Sequence, residues 1–303
     1  MKIIITGGTG LIGRALAEDL AKDGHEVIIL SRNPKPNTGL PAGIRLEKWD
    51  GRTAQSWGKL ADGADAIVNL AGENLSAGRW TAKRKQSILD SRINAGAAVI
   101  QAVQQAASKP GVVIQSAGIG YYGPGDAEGI REEAPPAQDF LAQVCQAWEA
   151  STQAVETLGV RRVVTRSGVV LSTRSGALPL MLLPFKFFAG GPLGSGRQWL
   201  SWVHLEDEVR AIRFLIENPQ ARGVYNISAR PLTNRQFAQT IGKVMHRPAF
   251  FTVPAFIIRL LFGEMSTVVL DGQHVSSQRL VDTGFQYRFP EAEAALADLL
   301  KRQ

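Results

Sequence analysis

TGGTGLIG, residues 6–13, follows the apolar run KIIIT at 2–6 and opens the helical pattern LIGRALAEDLAKDG at 11–24. Gly7, Gly10 and Gly13 have the spacing of a strand-to-helix turn in which each glycine has a separate task. One makes the tight turn, one lets the backbone approach a pyrophosphate, and one lets helix and strand pack closely. The helix start adds unpaired N–H groups and the positive end of the helix dipole. A glycine-rich turn alone is weak evidence; placed inside a strand–helix–strand unit, it predicts a dinucleotide site.

Outward from this turn, strand and helix patterns alternate. EVIILS (26–31), IRLEKW (44–49), DAIVNLA (65–71), VVIQSA (112–117), RRVVTRS (161–167) and GVYNIS (223–228) read as buried strands. Helical patterns cover 11–24, roughly 80–107, 139–149 and 206–217. Such alternation predicts an α/β, Rossmann-type doubly wound parallel sheet with right-handed crossovers. Regularity weakens after about residue 170. We therefore expect a cofactor-binding domain over 1–230, with a substrate-side insertion at about 172–200, and a smaller, mainly helical C-terminal subdomain over 231–303. NPKPNTGLPAG (33–43) and GPGDAEGIREEAPPAQ (123–138) read as mobile loops.

The chain has 303 residues, 45% hydrophobic and 20% charged, an ordinary globular composition. Its N-terminus shows no small-residue cleavage site, and its later apolar runs are interrupted by Lys186 and Arg259. A cytoplasmic protein without a membrane partner is expected. Cys145 is the single cysteine, which excludes an internal disulfide and a cysteine metal cluster; no metal is expected. The net charge of +7 raises nucleic acid as a partner, but the cations are scattered and no aromatic platform accompanies them. A small-molecule substrate, phosphorylated or nucleotide-linked, is the expected partner.

Which dinucleotide binds is decided where the second strand ends, Ser31-Arg32-Asn33. A carboxylate there would accept from a ribose 2′-OH and repel a 2′-phosphate; an arginine fork and a hydroxyl would bind the phosphate. A charge-assisted hydrogen bond of this kind contributes roughly 1.5–3 kcal/mol. NADP(H) is the predicted cofactor.

The glycine pattern resembles that of the extended short-chain dehydrogenase/reductase superfamily. NLAGENL (69–75), SRINA (91–95), VCQAWE (144–149), RSGVVL (166–171), GGPLGSGRQWLSWVHLED (190–207) and GQHVSSQRL (272–280) narrow the likeness. They resemble an atypical nucleotide-sugar epimerase family with a small C-terminal domain of unassigned function. The resemblance covers essentially the whole chain. It implies an epimerase or oxidoreductase acting on a nucleotide-sugar-like or small carbonyl substrate. It puts Gly7, Thr9, Gly10, Leu11, Ile12 and Gly13 on the pyrophosphate and Ser31 with Arg32 on the 2′-phosphate. Leu70, Ala71 and Gly72 would line the adenosine and ribose path, Arg92 would reach the cofactor, and Asp50 would face the adenine.

The superfamily's chemistry uses a Tyr-x-x-x-Lys pair on one helix, the tyrosine as acid or base and the lysine lowering its pKa. With Glu149 aligned to the superfamily's glutamate, the tyrosine slot holds Leu141 and the lysine slot Cys145. No tyrosine in the chain has a lysine four residues later. The superfamily's serine or threonine after the fifth strand aligns with Ala117, and Ser116 is one residue off. Tyr121, Tyr122 and His204 are the weak replacement candidates, and Arg166 is a candidate phosphate ligand. The alternative is an NADPH-binding sensor or scaffold with no chemistry of its own.

Overall fold

The computed structural model describes residues 1–34, 40–125 and 128–301. The strands are β1 (Lys2–Thr6), β2 (Glu26–Ser31), β3 (Ile44–Lys48), β4 (Ala66–Asn69), β5 (Val112–Gly118), β6 (Arg161–Ser167), β7 (Val169–Leu171), β8 (Trp199–Leu200), β9 (Trp202–His204), β10 (Gly223–Ile227) and β11 (Leu232–Thr233). The helices are α1 (Leu11–Lys22), α2 (Ala82–Gln105), α3 (Phe140–Ala150), α4 (Leu178–Lys186), α5 (Leu205–Glu217), α6 (Asn234–Met245), α7 (Ala255–Phe262), α8 (Thr267–Leu270), α9 (Gln278–Asp282) and α10 (Ala292–Lys301). Seven strands form one parallel sheet in the order β10-β6-β5-β4-β1-β2-β3. The order reverses direction between β1 and β4, and open α/β sheets bind ligands in the crevice at such a point.

The strand pleat sorts the core into two layers. Ile3, Ile5, Val27 and Ile29 face α1 and α5, where Leu16, Leu20, Ile212 and Leu215 meet them. Ile4, Ile28 and Ile67 face the opposite layer, against Ala95, Ala98, Val99 and Ala102 of α2. Period-two alternation within a continuous apolar run is what a sheet covered on both faces requires. A third core unites α4, α6 and α10 around Leu182, Phe185, Phe237, Ile241, Leu296 and Trp202. The residues expected as an insertion thus supply a helix to the C-terminal lobe.

Some element ends differ from expectation for identifiable reasons. β4 stops at Asn69 because Leu70 and Ala71 turn back on β1, their N–H groups donating to the Thr6 carbonyl (3.2 Å) and the Thr6 hydroxyl (3.2 Å). Helix α4 lies in the expected insertion despite Pro184, and the short pairs β7–β9 and β8–β11 lack a sequence signal of their own. Of the two expected mobile loops, residues 35–39 and residues 126 and 127 lie outside the described residues.

Glu208, in the first turn of α5, is fully buried and accepts a 2.6 Å hydrogen bond from the Ser167 hydroxyl. Its second oxygen has no hydrogen-bond partner among the described residues. Burial pushes its pKa up from 4.5 to about 7, against the lowering effect of Ser167. Between these values the folded protein keeps a proton that the unfolded chain has released. Stability therefore falls as pH rises through this window, by up to about 3 kcal/mol. Chemical denaturation of Glu208→Gln should lack this slope, matching the parent near the lower pH and exceeding it above the upper one.

Candidate active site

The glycine turn is built by close backbone approach. The Gly10 N–H donates to the Gly7 carbonyl at 2.9 Å, and the Arg14 N–H to the Gly10 carbonyl at 2.9 Å. A Cβ on Gly13 would lie 2.6 Å from the Gly7 oxygen, and one on Gly7, whose φ is +67°, 2.8 Å from the Leu70 backbone. Gly10 is different: it is exposed, and a Cβ there would meet only the Gly7 oxygen at 3.2 Å, otherwise filling the open groove. Gly10 caps α1 without a side chain, and the first turn of α1 has no acidic residue. Thr9, Gly10 and Leu11 line an outer cavity of about 480 Å³, while Ile12 is half-buried against the core. The donor set and the lack of an acid in the helix's first turn suit a phosphate.

On the other side of the turn, a cavity of about 230 Å³ is lined by Gly7, Thr9, Gly10, Ser31, Arg32, Leu70, Ala71 and Gly72, with Trp49 as a buried wall. Ser31 is buried, and Arg32 is exposed. Arg32 also borders an adjoining cavity of about 410 Å³ with Asp50, Arg52 and Lys83. Asp50 reaches this edge, but its carboxylate accepts from the Arg52 N–H (2.7 Å), the Thr53 N–H (2.8 Å) and the Thr53 hydroxyl (2.8 Å). Burial opposes these bonds, yet they hold its pKa below the usual carboxylate value. The carboxylate expected to face an adenine is thus held at the cavity edge by its own turn.

Arg92 lies beneath this groove. It is 6% exposed and donates to the carbonyls of Glu73 (3.2 Å) and Ile88 (3.0 Å). A Cβ on Gly72 would stand 2.9 Å from its Cζ, and the Trp148 ring packs at 4.7 Å. Its Nε has no hydrogen-bond partner among the described residues. Burial pulls its pKa down to about 10, opposed by Cys145 and Glu73. Gly72 is thus a glycine because a guanidinium occupies the space above its Cα.

At the chemical end, the two dyad slots are apolar in fact as well as in sequence. A Cβ on Gly120 would sit 3.4 Å from the Leu141 Cβ and 3.8 Å from the Cys145 Sγ, so both side chains pack on the exit of β5. Burial, then Glu149, pushes the Cys145 thiol up to about 12, which leaves it protonated and unreactive near neutral pH. Ala117 and Ser116 are both buried.

Arg166 is 3% exposed and ties this region together. It grips both Glu149 oxygens (2.7 and 2.9 Å), donates to the Tyr122 hydroxyl (2.9 Å) and the Glu132 carbonyl (3.1 Å), and lies 3.4 Å above the Tyr121 ring. Four donor contacts inside the protein make it a structural hub, where a free phosphate ligand was expected. Tyr122 is likewise enclosed: its hydroxyl donates to Asn226 (2.8 Å), and burial raises its pKa. Tyr121 is half-buried, its ring edge-on to Tyr122. His204 is 1% exposed and caps α5, its Nδ1 accepting from the Glu206 N–H at 3.0 Å. Its Nε2 lies 3.3 Å from Asp298, and its ring stacks on Phe289. Asp207, three residues on, instead accepts from the N–H groups of Arg288 and Phe289, both at 2.8 Å. Neither partner could be read from local spacing. Among the described residues no cluster of three metal-binding side chains occurs.

Residues 3–228 match the model of the NAD dependent epimerase/dehydratase family, and residues 253–299 match a domain of unknown function, DUF1731. The chain belongs to the epimerase/dehydratase family. It is 39% identical over 302 residues to the epimerase family protein YfhF of Bacillus subtilis, covering 99% of this chain and 98% of that one. It is 36% identical over 309 residues to mouse epimerase family protein SDR39U1, covering 99% and 100%. The crystal structure of human SDR39U1 with NADPH superposes with a TM-score of 0.89 at 34% identity, over the full length of both chains. UDP-galactose 4-epimerase, at 20% identity and a TM-score of 0.76, shares the fold.

The buried Arg166–Glu149 pair gives this region a stability test. Glu149→Ala leaves a guanidinium enclosed without its carboxylate and should lower unfolding stability by about 3–5 kcal/mol in urea. Arg166→Met with Glu149→Leu should recover part of that loss, because removing both charges removes the desolvation penalty.

Proposed function

We propose that this protein binds NADP(H) across the β1–β4 crevice and acts as an epimerase-family oxidoreductase on a phosphorylated or nucleotide-linked carbonyl compound. The observation that carries the reading is the pairing of the open Gly10 cradle with Arg32 at the end of β2. NADPH in the human relative supports it. The cofactor, when bound, supplies hydride exchange at its nicotinamide. The chain supplies the rest: backbone N–H groups of the Gly7–Gly13 turn hold the pyrophosphate, and Ser31 and Arg32 hold the 2′-phosphate. Leu70, Ala71 and Gly72 give the ribose and adenine a flat wall. Arg92 lends positive charge from below Gly72, and Asp50 shapes the rim as part of a locked turn.

The proton-transfer part of the reaction has no tyrosine–lysine pair to run on. Leu141 has no titratable group, and the Cys145 thiol stays protonated near neutral pH. Losing a positioned acid or base lowers rate by about 10²–10⁴, so turnover rests on a substrate that ionises easily. The same two residues favour a second reading, an NADPH-dependent sensor that binds the cofactor without consuming it.

Calorimetric titration separates cofactor choice from chemistry. Arg32→Asp should weaken NADPH binding about tenfold or more while leaving NADH unchanged or tighter. Equal NADPH affinity in the variant would overturn the assignment of Arg32. Single-turnover absorbance of bound NADPH against nucleotide-sugars and small carbonyls then decides between the two readings: oxidation supports the enzyme, and silence across the panel supports the sensor.

A further inference from the structure

The C-terminal lobe carries an apolar surface that its own core does not cover. On α4, Leu180, Leu183 and Phe187 stand at helical spacing on the outer side, with Phe187 74% exposed. Phe188 follows, turned outward by a left-handed φ of +59°, which a bulky side chain seldom adopts. On α7, Phe256 and Leu260 are 68% and 71% exposed, and Leu261 and Phe262 extend the surface. The segments that flank the two helices are paired. The chain before α7 runs alongside the chain after α4, with the Phe251 N–H on the Gly190 carbonyl (3.1 Å) and the Val253 N–H on the Pro192 carbonyl (3.0 Å). Phe250, 72% exposed, packs on Phe251 between them.

The two stretches that build this face carry cations and no acid of their own. No aspartate or glutamate occurs between Glu156 and Glu206, or between Glu217 and Glu264, the two stretches that build it. Lys186, His246 and Arg259 are exposed there, and Arg247 lies 4.3 Å over the Phe188 ring. Asp271, after α8, is the carboxylate that Arg259 influences, and Glu264 is paired to Lys85.

We propose that this face docks on an anionic lipid bilayer, with the phenylalanine and leucine side chains at the headgroup–acyl boundary and Lys186, Arg247 and Arg259 among the headgroups. Short amphipathic helices with aromatic and leucine side chains outward and cations beside them bind in the interface plane in this way. Among the described residues no helix is long and apolar enough to cross a membrane, so the contact is peripheral. It replaces the expectation of no membrane partner, which rested on the absence of spanning segments. A second copy of the chain fits less well: a two-fold interface would set Lys186 and the other cations of these two stretches against their own copies.

The test is co-sedimentation of the full chain with vesicles of phosphatidylcholine alone, or of phosphatidylcholine and phosphatidylglycerol at roughly two to one. Binding should favour the anionic vesicles and weaken at high salt. Phe256→Ser with Leu260→Ser should reduce partitioning about tenfold or more, with an unchanged unfolding temperature because both side chains are already exposed. Lys186→Glu with Arg259→Glu should abolish the preference for phosphatidylglycerol. Three outcomes would overturn the proposal: no pelleting with anionic vesicles, pelleting unaffected by either variant, or concentration-dependent dimerisation that the serine variant abolishes while vesicles bind nothing.

Discussion

Backbone packed directly against backbone at the β1–α1 turn is the constraint on which the cofactor end depends. Gly13 rests on the Gly7 carbonyl, and Gly7 rests on the Leu70 peptide, at distances that leave no room for a Cβ. Those contacts bring the ends of β1 and β4 together at the point where the sheet reverses its order. They also shorten β4, since Leu70 and Ala71 spend their N–H groups on Thr6. The groove for a dinucleotide is therefore a by-product of how tightly the first crossover packs. Gly10, the one glycine of the three with space beside it, leaves the opening.

A second constraint operates at the chemical end. Arg166 and Glu149 are buried together, and their partners Tyr121, Tyr122 and Glu132 all come from the segment after β5. A buried pair of this kind adds little net stability over an apolar core, but it cannot lose one member cheaply. Helix α3 is consequently held in register by Glu149 while Leu141 and Cys145 carry no charge at all. The helix keeps its place against the exit of β5 with apolar side chains at both of those positions.

What the sequence revealed follows the range of the interactions involved. The alternation of strand and helix, the doubly wound parallel sheet and the phosphate turn depend on periodicity and on glycines a few residues apart, so they were legible. β2, β6 and α3 fall within a residue of their expected ends, with Asp139 capping α3 through the Ala142 N–H. Partners far apart in sequence were not legible. Asp298 beside His204, Asp207 on the Phe289 backbone and Arg166 on Glu132 each join elements that share no local pattern. Asp50 is the instructive local case. A carboxylate at a strand end signals a ligand, and the same residue two before an N–H signals a turn; here the turn forms and holds the carboxylate at the cavity edge. Helix α4 was missed because Pro184 argues against a helix, while the packing of Leu182 and Phe185 into the third core overrides that preference.

The C-terminal lobe is mechanically joined to the cofactor half at a point that matters. Arg79, in the loop after β4, donates to the carbonyls of Leu260 (2.5 Å) and Leu261 (3.2 Å) at the last turn of α7. These are carbonyls a helix end leaves unpaired, and a cation there also meets the negative end of the dipole. Lys85, in the first turn of α2, adds an ion pair to Glu264 just beyond. Because α7 buries only Ile258, these two cations provide much of what fixes it. The loop that Arg79 belongs to begins at Leu70 and Ala71, the wall of the cofactor groove. Arg79 and Lys85 thus tie the last turn of α7 to the loop and helix that follow the wall of the cofactor groove.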